Sequence, residues 1–239
     1  MPAPSSVGEI TSSAIGYVGH QVHVVRRREA AWLIDALGPV EGKTILDVAG
    51  GDGYWARQVA RRGARAIAID IAMDKLRRGR TLTDPPALVR GDALRLPFPD
   101  RCVDGVLSIC AIEHFDDAGE ALAEMARVVR PGGVLAMSAD ALTDEGDWPE
   151  QSRGHRATYA VVDTYDEAKL SKLLDEAGFD VERSEYMFKQ HWAQGVYLRL
   201  HRWRYSPNVL APLGPVVAMS DRRSSEPGGA IILVQARRR

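Results

Sequence analysis

The stretch Ile45-Leu46-Asp47-Val48-Ala49-Gly50-Gly51-Asp52-Gly53 decides the fold. A short apolar run from Thr44 to Val48 carries an acidic residue near its end, breaks into glycines, and gives way to a helical pattern from Tyr54 to Arg62. The pattern is that of a strand, a tight turn and a helix. Glycines at such a turn admit a ligand where a Cβ would clash, and the start of a helix offers free N–H groups. About twenty residues on, a second apolar run, Ala66 to Ile69, ends in Asp70, the position at which folds of this kind hold a ribose.

Outward from this unit, strands and helices alternate. Further strands are expected at Leu88–Arg90, Val103–Ile109 and Gly133–Ser138, and helices at Asp74–Arg80 and Ala118–Val129. The last helix carries Ala118, Leu122, Met125, Ala126 and Val129 on one stripe. It stops at Arg130-Pro131-Gly132-Gly133, where proline cannot continue a helix and glycine permits a reversal. Alternation of this kind calls for parallel strands joined by crossover helices, hence a doubly wound α/β sheet. Val18 to Leu37 reads as an amphipathic helix ahead of the sheet, and Ala139 to Asp163 as a long irregular segment of the kind that carries function. A helix at Asp166–Ala177, closed by Gly178, precedes a strand at Phe179–Phe188. Pro207–Pro215 and Ser224–Gly229 read as loops, and Ala230–Ala236 as a final strand.

Composition narrows the function classes. The 239 residues are 45% hydrophobic and 26% charged, ordinary globular proportions. A net charge of −1 supplies no field to draw nucleic acid or an anionic membrane. Arginine clusters such as Arg61-Arg62-Arg65 and Arg77-Arg78-Arg80 fall at expected helix C-termini, where cations complement the helix dipole. Two cysteines, Cys102 and Cys110, have no metal-ligand or disulfide spacing, so no metal is expected. Met1 to Ser6 lacks a signal pattern, and no apolar run approaches the ~20 residues of a membrane span; the chain reads as cytosolic.

Four segments, in order and at suitable spacing, resemble the class I S-adenosylmethionine-dependent methyltransferases, in the style of the quinone-biosynthesis C-methyltransferases and small-molecule methyltransferases. They are Ile45–Gly53; Ala68-Ile69-Asp70-Ile71; Gly91-Asp92-Ala93-Leu94 running through Leu96-Pro97-Phe98 to Val103-Asp104; and Ser108–Phe115 leading to Val128–Gly133. The resemblance spans about Gly38 to Ser138. It implies a Rossmann-like, mostly parallel seven-stranded sheet in a single domain: an N-terminal helical cap (1–37), a cofactor-binding core (38–138), and substrate-side segments with the last two strands (139–239), including an insertion before the final strand. S-adenosyl-L-methionine is the implied cofactor. Asp47 would organise the glycine turn, with the backbone of Ala49 and Gly51 near the methionine part. Asp70 would accept both ribose hydroxyls, Ile71 would cover one adenine face, and Asp92 with the N–H of Ala93 would address the adenine edge. The backbone of Ile109 and Cys110 would lie beneath the sulfonium. One departure stands out: the family usually has glycine where this chain has Ala49.

His114, beside Glu113 after the fourth strand, is the first candidate for a general base, with His155, Tyr159 and Tyr165 as competitors; relatives also use a histidine there structurally. Asp70 and Asp92 have bland alternatives as helix or turn caps. Acceptor specificity is expected from Ile15–Arg28 (Tyr17, His20, His23), Ala139–Tyr165 and Gln190–Ser220 (His191, Trp192, Tyr197, His201, Trp203). The aromatic groups of the last segment suit a pocket wall, plain packing or a homodimer contact. The expected acceptor is a small or medium-sized organic molecule, with oxygen the first choice and nitrogen or carbon the alternatives. Nucleic acid is disfavoured because the fourth strand ends in Ser108-Ile109-Cys110-Ala111, without an Asn/Asp-Pro-Pro-aromatic motif. A nicotinamide-dependent oxidoreductase and a non-catalytic nucleoside-binding protein remain the readings from other classes; Gly50-Gly51-Asp52-Gly53 fits GxGxxG poorly.

Overall fold

The computed structural model describes residues 24–199 and 213–239. Its order is α1 (Val24–Ala36), β1 (Thr44–Val48), α2 (Tyr54–Ala60), β2 (Arg65–Asp70), α3 (Met73–Gly79), β3 (Ala87–Arg90), β4 (Val103–Ser108), α4 (Ala118–Val128), β5 (Val129–Asp140), α5 (Pro149–Tyr159), α6 (Glu167–Ala177), β6 (Phe179–Met187), α7 (His191–Arg199), α8 (Leu213–Arg223) and β7 (Ile231–Arg238). The seven strands form one sheet in the order β3-β2-β1-β4-β5-β7-β6. All pairs are parallel except those of β7, which runs antiparallel to β5 and β6.

Alternate side chains leave this sheet on opposite faces, and both faces are covered, which is why neighbouring apolar residues of each central strand are buried in two separate cores. Ile45, Leu107, Ala136 and Leu233 join one core with Leu33 of α1, Val59 of α2 and Leu198 of α7. Their neighbours Leu46, Val106, Leu135 and Ile232 join the other with Leu122 and Met125 of α4, Leu170 and Leu174 of α6, and Phe179. Helix starts follow their capping residues: the Asp117 carboxylate accepts the N–H of Glu120, and that of Asp166 accepts the N–H of Lys169. Gly178 closes α6 at φ 91°. At the far edge, buried Asp221 of α8 accepts the N–H groups of Phe188 and Lys189 and pairs with Arg28, tying α8 to the end of β6 and to α1.

Three local features depart from the sequence reading. Ala139–Asp163 is not irregular throughout, because Pro149 starts α5 and the helix ends at Ala160 in the left-handed region. Its many polar side chains hide the periodicity; only Ser152 and His155 of that helix are buried. The reversal at Pro131–Gly133 is absorbed as a bulge in β5, where pairing with β4 jumps from Val103↔Val129 to Gly105↔Val134. Pro215 sits in the first turn of α8 rather than in a loop, a position proline tolerates.

Candidate active site

The carboxyl ends of β1, β2, β3, β4 and β5 meet on one rim, with β1 and β4 at the topological switch point where open α/β sheets bind ligands. The glycine turn leaves β1 with Ala49 at φ 57°, Gly51 at φ 61° and Gly53 at φ 76°. Three left-handed residues within five bend the chain sharply enough to start α2 directly over the strand end. Asp47 lies under this turn, 2% exposed, and its Oδ2 accepts the N–H of Ala56 in the first turn of α2. A Cβ on Gly50 would come within 2.7 Å of the Asp47 carboxylate, so the turn and the acid are packed as one unit. Burial pushes the Asp47 carboxyl up to about 8; the Ala56 N–H pulls the other way, and the charges of Asp70 and Asp52 add to the rise.

Asp70, at the tip of β2, joins the two loops. Its Oδ2 accepts the N–H of Gly51 at 2.9 Å, and its Oδ1 accepts the N–H of Ala72 at 2.8 Å, with Lys75 Nζ 3.7 Å from Oδ2. Each carboxylate oxygen can take about two donors, so acceptor capacity remains on both. Asp92, at the tip of β3, is exposed and closes its own turn by accepting the N–H of Leu94. Both acids therefore do the bland structural job while facing a common groove. That groove, about 210 Å³, is lined by Ala49, Asp70, Ile71, Asp92, Ala93 and His114, among others. Ile71 is 63% exposed there, an apolar side chain offered to whatever occupies the groove. The sequence-predicted His114 hydrogen-bonds the carbonyl of Ala160 through Nδ1 and lies on the same wall.

A second cluster, largely missed by the sequence, sits at the tips of β4 and β5. Cys110 adopts φ 44°; its backbone N–H donates to Ser138 Oγ, and its thiol donates to Oε1 of Glu29 at 3.0 Å. Ser138 Oγ donates to the same Glu29 oxygen at 2.6 Å. Glu29, from α1, is fully buried, as are Glu113 and Asp140 within a few per cent. Asp140 ends β5; its Oδ1 accepts the Tyr197 hydroxyl at 2.6 Å and its Oδ2 lies 2.7 Å from His155 Nε2. Cys110 Sγ and carboxylate oxygens of Glu113 and Asp140 fall within 4.8 Å of one another. With Asp140 already serving Tyr197 and His155, and Cys110 serving Glu29, the set is a hydrogen-bonded polar core. Glu29, Ser138, Asp140 and Tyr197 carried no motif signal; they come from α1, β5 and α7, and only folding brings them together.

Among the other base candidates, Tyr165 is buried, and its hydroxyl is pushed up to about 12 by desolvation and by the charges of Asp163, Glu113 and Asp117, which keep it protonated. Tyr159 is 39% exposed and stands beside the His155 ring at 4.9 Å. Tyr17, His20, His23, His201 and Trp203 lie outside the described residues. No helix among the described residues is long and apolar enough to cross a membrane.

Residues 46–137 match the family model of the methyltransferase domain. The chain is 35% identical over 112 residues to a demethylmenaquinone methyltransferase of Renibacterium salmoninarum, covering 47% of each chain. It is 36% identical over 124 residues to the malonyl-[acyl-carrier protein] O-methyltransferase of Serratia marcescens, covering 51% of this chain and 49% of the relative. The chain thus spans about half the length of the curated relatives it matches. Among solved structures, geranyl diphosphate methyltransferase in complex with GPP and sinefungin superposes with a TM-score of 0.66 at 18% identity, over 90% of this chain and 79% of the other. At that identity the likeness speaks for the fold, and it matches the seven-stranded sheet described above. Residues 46–137 are thus similar in sequence to the methyltransferase domain, on a sheet of the same fold as the solved methyltransferase.

Proposed function

We propose that the protein transfers a methyl group from S-adenosylmethionine to a small or medium-sized organic acceptor, at oxygen. The observation that carries this reading is the Asp70 carboxylate, buried at the tip of β2, locked to the glycine turn, and retaining acceptor capacity on both oxygens toward the groove. The residues present fit the cofactor. Asp70 would hold the ribose hydroxyls, Ile71 an adenine face, and Asp92 with the Ala93 N–H the adenine edge. The turn from Ala49 to Gly51 would support the methionine part, with Asp47 holding that turn from below. Ile109 and Cys110 would lie under the reactive end, and His114 would close the nucleoside side of the groove. When bound, the cofactor supplies an electrophilic methyl group on a sulfonium.

The chain's own contribution is then alignment and exclusion of water. Alignment is worth up to ~7–11 kcal/mol in reactions of this type. The choice of oxygen is supported by the O-methyltransferase among the relatives, and nitrogen or carbon is the second reading. Calorimetric titration with S-adenosylhomocysteine and with NAD tests the cofactor assignment. Binding of the first and not the second is expected; the opposite result would return the chain to the oxidoreductases. Transfer of labelled methyl to a panel of phenols, alcohols, amines and activated carbon acids then tests the acceptor class.

A further inference from the structure

We propose that His155, oriented by Asp140, is the general base that removes the proton of a hydroxyl acceptor. This rests on the methyltransferase reading above and assigns its acceptor chemistry. His155 lies on α5, the helix that follows β5, and its side chain is 4% exposed, as is that of Asp140. The two meet at 2.7 Å through Nε2 and Oδ2. Tyr197 of α7 donates to the other Asp140 oxygen, so the carboxylate already has an O–H donor on one side and takes the imidazole N–H on the other. That bond places the ring proton on Nε2 and leaves the lone pair on Nδ1. Among the described residues, Nδ1 of His155 is buried and has no hydrogen-bond partner. Buried polar atoms are nearly always paired, so an orphaned lone pair held in place by a carboxylate points to a donor that arrives with a ligand.

Position supports the same role. Asp140 is at the tip of β5, next to β4, and its carboxylate is within 4.8 Å of Cys110 Sγ and of Glu113. The dyad is thus on the side of the crevice where β4 ends, whereas His114 lines the groove shared by Asp70 and Asp92. The groups facing the imidazole are Asp140 from β5, Tyr159 from its own helix and Tyr197 from α7, with Glu113 beyond Asp140. Nδ1 takes the hydroxyl proton as the acceptor oxygen bonds the methyl carbon. The carbon–sulfur bond breaks and its electron pair stays on sulfur, giving a neutral thioether. The imidazolium, held by Asp140, later releases its proton to water.

The test uses the full chain with S-adenosylhomocysteine bound. A long-range proton–nitrogen spectrum, with His155→Gln as the assignment control, should show His155 in the Nε2–H form with Nδ1 unprotonated; an Nδ1–H form would overturn the proposal, whether or not any acceptor turns over. With the phenol or alcohol that accepts label best as probe, His155→Gln should lower kcat about 10²–10⁴-fold. S-adenosylhomocysteine affinity should stay within about twofold, because glutamine keeps an N–H for Asp140. Asp140→Asn should lower the same kcat by a smaller factor. Unchanged kcat in His155→Gln, or a loss that tracks weakened nucleoside binding, would also overturn it. Failure of wild-type protein to bind S-adenosylhomocysteine would instead defeat the methyltransferase reading, leaving the tautomer measurement to judge the dyad alone.

Discussion

The two halves of the crevice are built differently. The half at the tips of β1, β2 and β3 is local: Asp47, Ala49, Gly51, Asp70 and Asp92 each sit within a few residues of a strand end, and the acids' hydrogen bonds run to backbone N–H groups of the adjoining turns. The half at β4 and β5 is assembled from afar. Glu29 meets Ser138 across 109 positions of sequence, and Tyr197 meets Asp140 across 57. A local half can be written into a short motif, because turn geometry and acid position are fixed by neighbouring residues. A dispersed half can change its side chains without disturbing the motif. The contrast matches a division of labour in which one half holds a constant cofactor and the other suits a particular acceptor.

Four measurements would break or sharpen that contrast. The largest effect is expected from Asp47, whose carboxyl is raised from 3.8 to about 8 by burial. Between those values the folded chain holds a proton that the unfolded chain has lost, so stability falls as pH rises from about 4 to about 8, by up to about 1.4 kcal/mol per pH unit, and levels off above. Asp47→Asn keeps an oxygen for Ala56 and should flatten the melting temperature across that range. A wild-type profile already flat there would mean that the turn does not bury its acid.

Asp70→Asn removes one charged acceptor and should weaken S-adenosylhomocysteine binding about 10- to 100-fold, the scale of a lost charge-assisted hydrogen bond. Unchanged affinity by calorimetry would strip Asp70 of its ribose role. Glu29→Ala belongs to the other half. It withdraws the acceptor from Ser138 and Cys110, costing about 1–3 kcal/mol in denaturant titration. Nucleoside affinity should change little; an equal loss of both would show the two halves coupled.

The smallest effect is the most diagnostic of local geometry. Ala49 occupies φ 57°, where a Cβ costs about 1–2 kcal/mol. Glycine would remove that strain and return part of the gain through a more flexible unfolded chain. Ala49→Gly should raise stability by about 0.5–1 kcal/mol, a melting shift of about 1–4 °C. A drop would mean that the alanine methyl packs rather than strains.

The sequence by itself determined the strand–turn–helix unit, the doubly wound sheet, the existence of a last strand and the acids at the tips of β1, β2 and β3. All of these rest on periodicity, on glycine's access to positive φ, and on acids placed at strand ends. It also marked Ala49 as a departure, and the structure supplies the reason: the position needs a left-handed backbone. Helix α5 was hidden because its buried face is only Ser152 and His155, too thin an apolar stripe to register as a period. His155 stood in the sequence as one candidate among several, and nothing in its neighbours pointed to Asp140 or Tyr197. Tertiary structure alone decided which polar side chains share the tips of β4 and β5, because burial forces groups from separate elements to satisfy one another, and that pairing leaves no trace in local spacing.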